Sequence, residues 1–152
     1  MRSPLSTPSL ALAVLCAIAS QEAAAFNLFA IREPVYATVD GVLLAGEAVG
    51  HWDRTGTLTV HSTVDDTLHC DGTFHYTSLK AGVAQITCTD GSAADLAFDA
   101  LGAVSGRGQG ATSRGLVSFT FGLSLQDATP YLNLPKGKRI VVTAQGPQLQ
   151  DI

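Results

Sequence analysis

From residue 35 onward the chain is a succession of short runs in which apolar and polar residues alternate, broken by clusters of Gly, Asp and Ser. The runs fall at 35–44, 56–62, 68–76, 82–87, 95–101, 105–110, 116–122 and 139–144. Alternation with a period of two is the signature of a strand with one buried face, and runs spaced this regularly predict an all-β fold. The expected architecture is an antiparallel meander of about eight strands closed into a small barrel or folded into a sandwich; both give the same alternation. Only 124–132 has helical character. Ser124 or Asp127 is the candidate cap, and Pro130 limits the segment to a turn or two. The stretches 31–34 and 146–152 read as loose.

Matching apolar faces sets register between neighbouring runs. Joining 68–76 to 82–88 through a loop at 78–80 sets Cys70 opposite Cys88, Phe74 opposite Ala84 and Gly72 opposite Ile86, so that large side chains meet small ones. The same procedure applied to 56–62 and 68–76, with a loop at 65–67, pairs Leu58 with Phe74 and Val60 with Gly72. On the polar face it brings His61 across from Asp71, with His69 alongside.

The first 25 residues carry a different pattern. Arg2 precedes an unbroken apolar run at 10–19, and Ala23, Ala24 and Ala25 follow. A basic start, a short apolar stretch and small residues at a cleavage point are the parts of a secretory signal. The run is half of what a bilayer span needs. Residues 1–25 are therefore expected to be a removed signal, residues 26–152 a single β-rich domain, and the address periplasmic or secreted. Cys16 would leave with the signal; Leu15 before it does not suit a lipid-anchoring signal, which wants a small residue there. Cys70 and Cys88 remain as an even pair in an oxidising compartment, where a disulfide is the expected state. Their spacing lacks the close cysteine pairs of structural zinc sites.

Composition narrows the partners. Nine Lys and Arg stand against thirteen Asp and Glu, which argues against a general attraction to nucleic acid or anionic membrane. After signal removal no transmembrane segment is expected, and the partner would be a protein or small ligand in the cell envelope.

Three groups of side chains carry candidate chemistry. His61, His69 and Asp71 offer two imidazoles and a carboxylate on adjacent strands, a donor set suited to zinc or copper; the plainer reading is a row of solvated polar residues. The stretch 106–115 matches G-x-G-x-x-A, but an alternating strand follows it where a dinucleotide fold needs a helix. Its glycines are better read as barrel bends or close backbone approaches, with Arg107 and Arg114 as grips for an anionic ligand. Trp52, between Gly50 and Gly56, falls in a loop, where an exposed ring would be a binding hot spot and a folded-back one would cover an end of the barrel. The basic turn 136–139 reads as a solvated turn that discourages edge pairing. No G-x-S-x-G elbow is present, and both retained cysteines are committed, so nothing points to a nucleophilic enzyme.

The motifs Cys88-Thr89-Asp90-Gly91, Phe98-Asp99-Ala100-Leu101-Gly102, Gly106-Arg107-Gly108-Gln109-Gly110 and Phe119-Thr120-Phe121-Gly122 resemble small exported β-rich proteins of Gram-negative bacteria. The resemblance spans about half of the domain. It implies a periplasmic or envelope address and assigns no activity and no functional residue. The Cys-Asp-Gly order at 70–72 and again at 88–91 is reused hairpin chemistry, since Asp-Gly supplies the positive φ that turns require. The expected role is thus a non-catalytic exported domain that binds a ligand or partner or belongs to the envelope; the alternative is a zinc- or copper-binding protein.

Overall fold

A computed structural model describes residues 29–152; the predicted signal at 1–25 lies outside them. Eight antiparallel strands run in sequence order and close into a barrel: β1 (Ile31–Val39), β2 (Val42–Gly50), β3 (Thr55–Ser62), β4 (His69–Tyr76), β5 (Ala81–Cys88), β6 (Ala93–Ala100), β7 (Gly106–Thr112) and β8 (Gly115–Phe121), with β8 returning to pair with β1. The barrel is followed by a short helix α1 (Leu125–Ala128), one 3-10 turn (Thr129–Tyr131) and a hairpin of β9 (Lys138–Thr143) and β10 (Gly146–Asp151). Closure removes the free edges that an open sheet would expose. Among the described residues no helix is long and apolar enough to cross a membrane.

The barrel is the predicted all-β fold, yet its strands are partitioned differently. The run expected at 35–44 is two strands. Asp40 and Gly41 turn the chain between them with φ of 49° and 77°, and Val39 pairs directly with Val42. Two consecutive positive-φ residues make the tight hairpin turn whose twist matches the strands it joins. Asp40 falls on the polar phase of the alternation (Tyr36, Thr38, Asp40), so the run continues in pattern through the Asp-Gly pair that makes the turn. The segments read as loose are also ordered: 31–34 opens β1, and most of 146–152 is β10. The helix is as short as Pro130 requires, and Ser124 is its cap, its Oγ accepting from the Asp127 N–H.

Inward-facing residues alternate small and large around the interior. Leu44, Val60, Cys70, Ile86, Leu96, Phe98, Val117 and Phe119 are buried together. Aromatic rings lie directly over inward-facing glycines. A Cβ on Gly82 would sit 2.1 Å from Phe98 Cζ, one on Gly56 2.3 Å from Phe74 Cζ, and one on Gly108 2.4 Å from Phe119 Cζ. Glycine at these points lets the sheet bend tightly while the ring covers the exposed backbone. Hence the glycines of 106–110 are barrel bends backed by Phe121, Phe119 and Leu96.

The β4–β5 register matches expectation, with Cys70 opposite Cys88, Gly72 opposite Ile86 and Phe74 opposite Ala84. Cys70 and Cys88 form a disulfide with a Cα separation of 3.9 Å. The β3–β4 register does not match: Leu58 faces Gly72, Val60 faces Cys70, and His61 faces His69. The connection is longer than the expected three residues. Ser62 N–H donates to the Leu68 carbonyl, and Ser62 Oγ accepts from Val64 and Asp65. A slip of two residues leaves every side chain on its original face, so apolar matching alone does not distinguish the two registers.

Outside the barrel, the segment after β8 lies over β1 and β8. Ala128 and Leu132 are buried there, together with the outward-facing Thr38, Leu43, Ser118 and Thr120. Ser118 Oγ lies 2.6 Å from Thr38 Oγ1 and accepts from the Asn133 N–H at 2.7 Å. One wall is thereby covered, and both ends of the barrel are left to the loops.

Candidate functional site at the barrel mouth

In an up-and-down meander, alternate connections fall at the same end. Loops 51–54, 77–80 and 101–105 gather at one end with the start of β1, and the turns at 40–41, 63–68, 89–92 and 113–114 gather at the other. The first end opens into a cavity of about 310 Å³. Its walls include Ile31, Glu33, Ala48, His51, Arg54, Phe74, Tyr76, Leu79, Val104 and Phe121. Beneath it lies an apolar void of about 30 Å³ that shares Ala48, Phe74 and Phe121 with the mouth.

The floor is aromatic because β4, β6 and β8 each direct a ring inward near this end. Phe98 packs edge-on against Tyr76 (5.1 Å between centroids), Phe121 (5.4 Å) and Phe74 (6.3 Å). Edge-to-face contacts satisfy the ring quadrupoles and hold the floor rigid. Around the lip stand exposed apolar residues: Phe29, Ile31, Trp52, Leu79, Leu101 and Val104. Trp52 is 81% exposed and Leu79 84%. Among the described residues the opposite end has Val64 and Leu116 of comparable size exposed. Large apolar side chains held in water around a cavity mark a contact surface.

The polar groups at the lip include Glu33, His51, Asp53 and Arg54. Arg54 has a φ of 64°, an uncommon conformation for a long side chain. Its N–H donates to the His51 carbonyl and its own carbonyl accepts from Tyr76. The guanidinium lies 4.6 Å from the Tyr76 ring centroid and donates to the Ser78 carbonyl. Burial pushes the Tyr76 phenol above its ordinary pKa, and the Arg54 charge opposes that shift. Asp53 accepts from the Thr55 N–H and hydroxyl, which hold its carboxyl below the usual range. Glu33 faces the cavity from the β1 wall.

Of the residues singled out from sequence, Trp52 alone stands at this mouth, beside Phe29 at 6.4 Å, exposed and not folded over the opening. Arg107 lies on the outer wall, 4.8 Å from the Tyr131 ring centroid. Arg114 is at the opposite end, 3.0 Å from Asp90. The two arginines do not converge. His61 and His69 face each other on the outer surface with ring centroids 5.3 Å apart, and His69 Nε2 is 3.5 Å from Asp71 Oδ2. Asp71 also accepts from the Thr59 hydroxyl at 2.7 Å. Among the described residues no three His, Cys, Asp or Glu side chains are arranged to hold a metal ion.

Sequence reasoning missed Glu33, Arg54, Tyr76, Leu79 and Val104 as a group. The signal for them lies in the turns. Trp52, Leu79, Leu101 and Val104 are large apolar residues in alternate connections, whereas the tips at 40–41, 89–92 and 113–114 are Asp-Gly, Thr-Asp-Gly-Ser and Ser-Arg, and the turn at 63–68 exposes one valine, Val64. Apolar residues in every second turn of a meander mark one end of the barrel.

Neither a protein-family model nor a curated protein matches the chain. Among solved structures, a redesigned β-barrel is similar at a TM-score of 0.48 and 17% identity, covering 66% of this chain and 95% of its own.

Proposed function

We propose that this chain is an exported, non-catalytic β-barrel that binds a small apolar ligand in its mouth. The observation that carries the reading is the cavity of about 310 Å³ with its aromatic floor, open to solvent among exposed apolar side chains. Small-molecule sites occur in barrel mouths and combine an apolar lining with a few placed polar groups. The eight-stranded barrel has an interior just wide enough for side chains or one small ligand, and the cavity at this end leaves room for the latter. Export is supported by the Cys70–Cys88 disulfide and by the apolar leader of the sequence.

The test is titration with N-phenylnaphthylamine, a neutral apolar dye that brightens in apolar surroundings. The chain has one tryptophan, Trp52, at the lip, and its emission gives a second signal. Saturable one-to-one binding is expected, with Ala100→Trp abolishing it by filling the cavity. Dye binding that is absent, or that survives Ala100→Trp unchanged, refutes the reading.

A further inference from the structure

Two opposite charges line the mouth without neutralising each other. Glu33 is half-buried on β1, and Arg54 is fixed at the end of the β2–β3 loop. Among the described residues the ion pairs are Arg32–Glu47, His69–Asp71, Arg114–Asp90 and Lys138–Asp151, and neither Glu33 nor Arg54 belongs to one. The Tyr76 ring and the Ser78 carbonyl hold Arg54 in place without cancelling its charge. Its left-handed backbone, a position glycine occupies at less cost, is consistent with a side chain kept for use.

We infer that the mouth selects a small zwitterion with an apolar body, namely an apolar amino acid or dipeptide, whose carboxylate meets Arg54 and whose ammonium meets Glu33. The inference rests on the apolar-ligand reading above and names the ligand class. A neutral apolar molecule gains the contact with the aromatic floor but returns no hydrogen bond to either charge, so it binds more weakly than a ligand that satisfies both. An anion satisfies Arg54 but brings a like charge toward Glu33, and an amine does the reverse. A ligand carrying both groups satisfies both walls while its side chain rests on Phe74, Tyr76 and Phe121. The size agrees: about 310 Å³ is at the small end of ligand sites, roughly 300–1,000 Å³, too little for a long acyl chain. Planar bidentate recognition of a carboxylate is the geometry a guanidinium favours.

The experiment is calorimetric titration of the purified protein with L-phenylalanine and with leucyl-phenylalanine. Each is used as the free zwitterion, as its N-acetyl form and as its carboxamide. At least one free form is expected to bind about tenfold or more tighter than both of its blocked forms, the worth of one charge-assisted hydrogen bond. Arg54→Gln should erase the preference over the carboxamide alone, and Glu33→Gln the preference over the N-acetyl form alone. Thermal melts of both variants control for folding. Blocked forms that bind as tightly as free ones, or variants that leave the preferences intact, overturn the inference. Failure of the amino acids with N-phenylnaphthylamine still bound overturns the zwitterion and leaves the apolar mouth standing; failure of both removes both.

Discussion

Gly82 and Gly50 are both inward-facing strand glycines, and the structure predicts opposite responses to alanine. A Cβ on Gly82 would lie 2.1 Å from Phe98 Cζ and 2.6 Å from the His75 carbonyl oxygen. Phe98 is pinned by Phe74, Tyr76 and Phe121, and the carbonyl belongs to the neighbouring strand, so neither obstacle can swing aside alone. Overpacking of this kind costs about 1–3 kcal/mol, and involvement of backbone places Gly82→Ala at or above the upper end. At Gly50 the nearest atoms to a Cβ are Phe74 Cζ at 3.8 Å and the Ile31 carbonyl oxygen at 3.9 Å, ordinary contact distances. There alanine only restricts the unfolded chain, and Gly50→Ala should be neutral or stabilising by up to about 1 kcal/mol. Urea unfolding of the two variants beside the parent measures the difference. Adding Phe98→Leu to Gly82→Ala should recover part of the loss, a positive coupling in a double-mutant cycle. Equal effects at the two glycines, or a Gly82→Ala protein as stable as the parent, would refute the account of ring-covered glycine bends.

Reducing the Cys70–Cys88 bridge reopens an 18-residue separation and should cost about 3 kcal/mol on the chain-entropy estimate; unfolding with and without reductant checks this, and an unchanged midpoint would contradict it. Thr120 Oγ1 is buried and, among the described residues, has no partner, so Thr120→Val should be neutral or stabilising by about 1 kcal/mol. Ser118→Ala, which strands Thr38 and the Asn133 N–H, should cost about 1–3 kcal/mol. Asp53, Asp65 and Asp90 have carboxyls lowered chiefly by the hydroxyls of Thr55, Thr67 and Ser92. A lowered folded-state pKa contributes stability that is present above the unfolded value, about pH 4, and is lost as pH falls through the lowered one. Melting temperature should therefore hold from about pH 7 to 5 and drop below about 4, with a smaller drop in Asp90→Asn.

The antiparallel meander was legible in the sequence, though not its closure into a barrel, because its inward positions alternate, as in Cys70, Gly72, Phe74 and Tyr76, and because the pairing of Cys70 with Cys88 agrees with one register. No such second constraint exists for β3 and β4, where a two-residue slip preserves the faces of Leu58 and Val60. At 35–44 Asp40 keeps the polar phase of the alternation, so one strand was expected where the Asp40-Gly41 pair turns the chain into two. The candidate site was less legible still. Arg54 and Glu33 are 21 positions apart in sequence and share a cavity only because the sheet closes, and closure leaves no mark on alternation. Trp52 was visible as a residue, but its role depends on Leu79 and Val104 arriving at the same end. His61, His69 and Asp71 illustrate the converse: sequence brought them to one outer face, where His61 faces His69 and His69 Nε2 lies 3.5 Å from Asp71 Oδ2.

Amide chemical-shift mapping during titration with N-phenylnaphthylamine tests the central claim most directly. The account predicts perturbations concentrated in loops 51–54, 77–80 and 101–105 and at the inward aromatics Phe74, Tyr76 and Phe121, with 63–68, 89–92 and 113–114 unmoved. Perturbations centred on the opposite end or on the β9–β10 hairpin, or none at saturating dye, would contradict it.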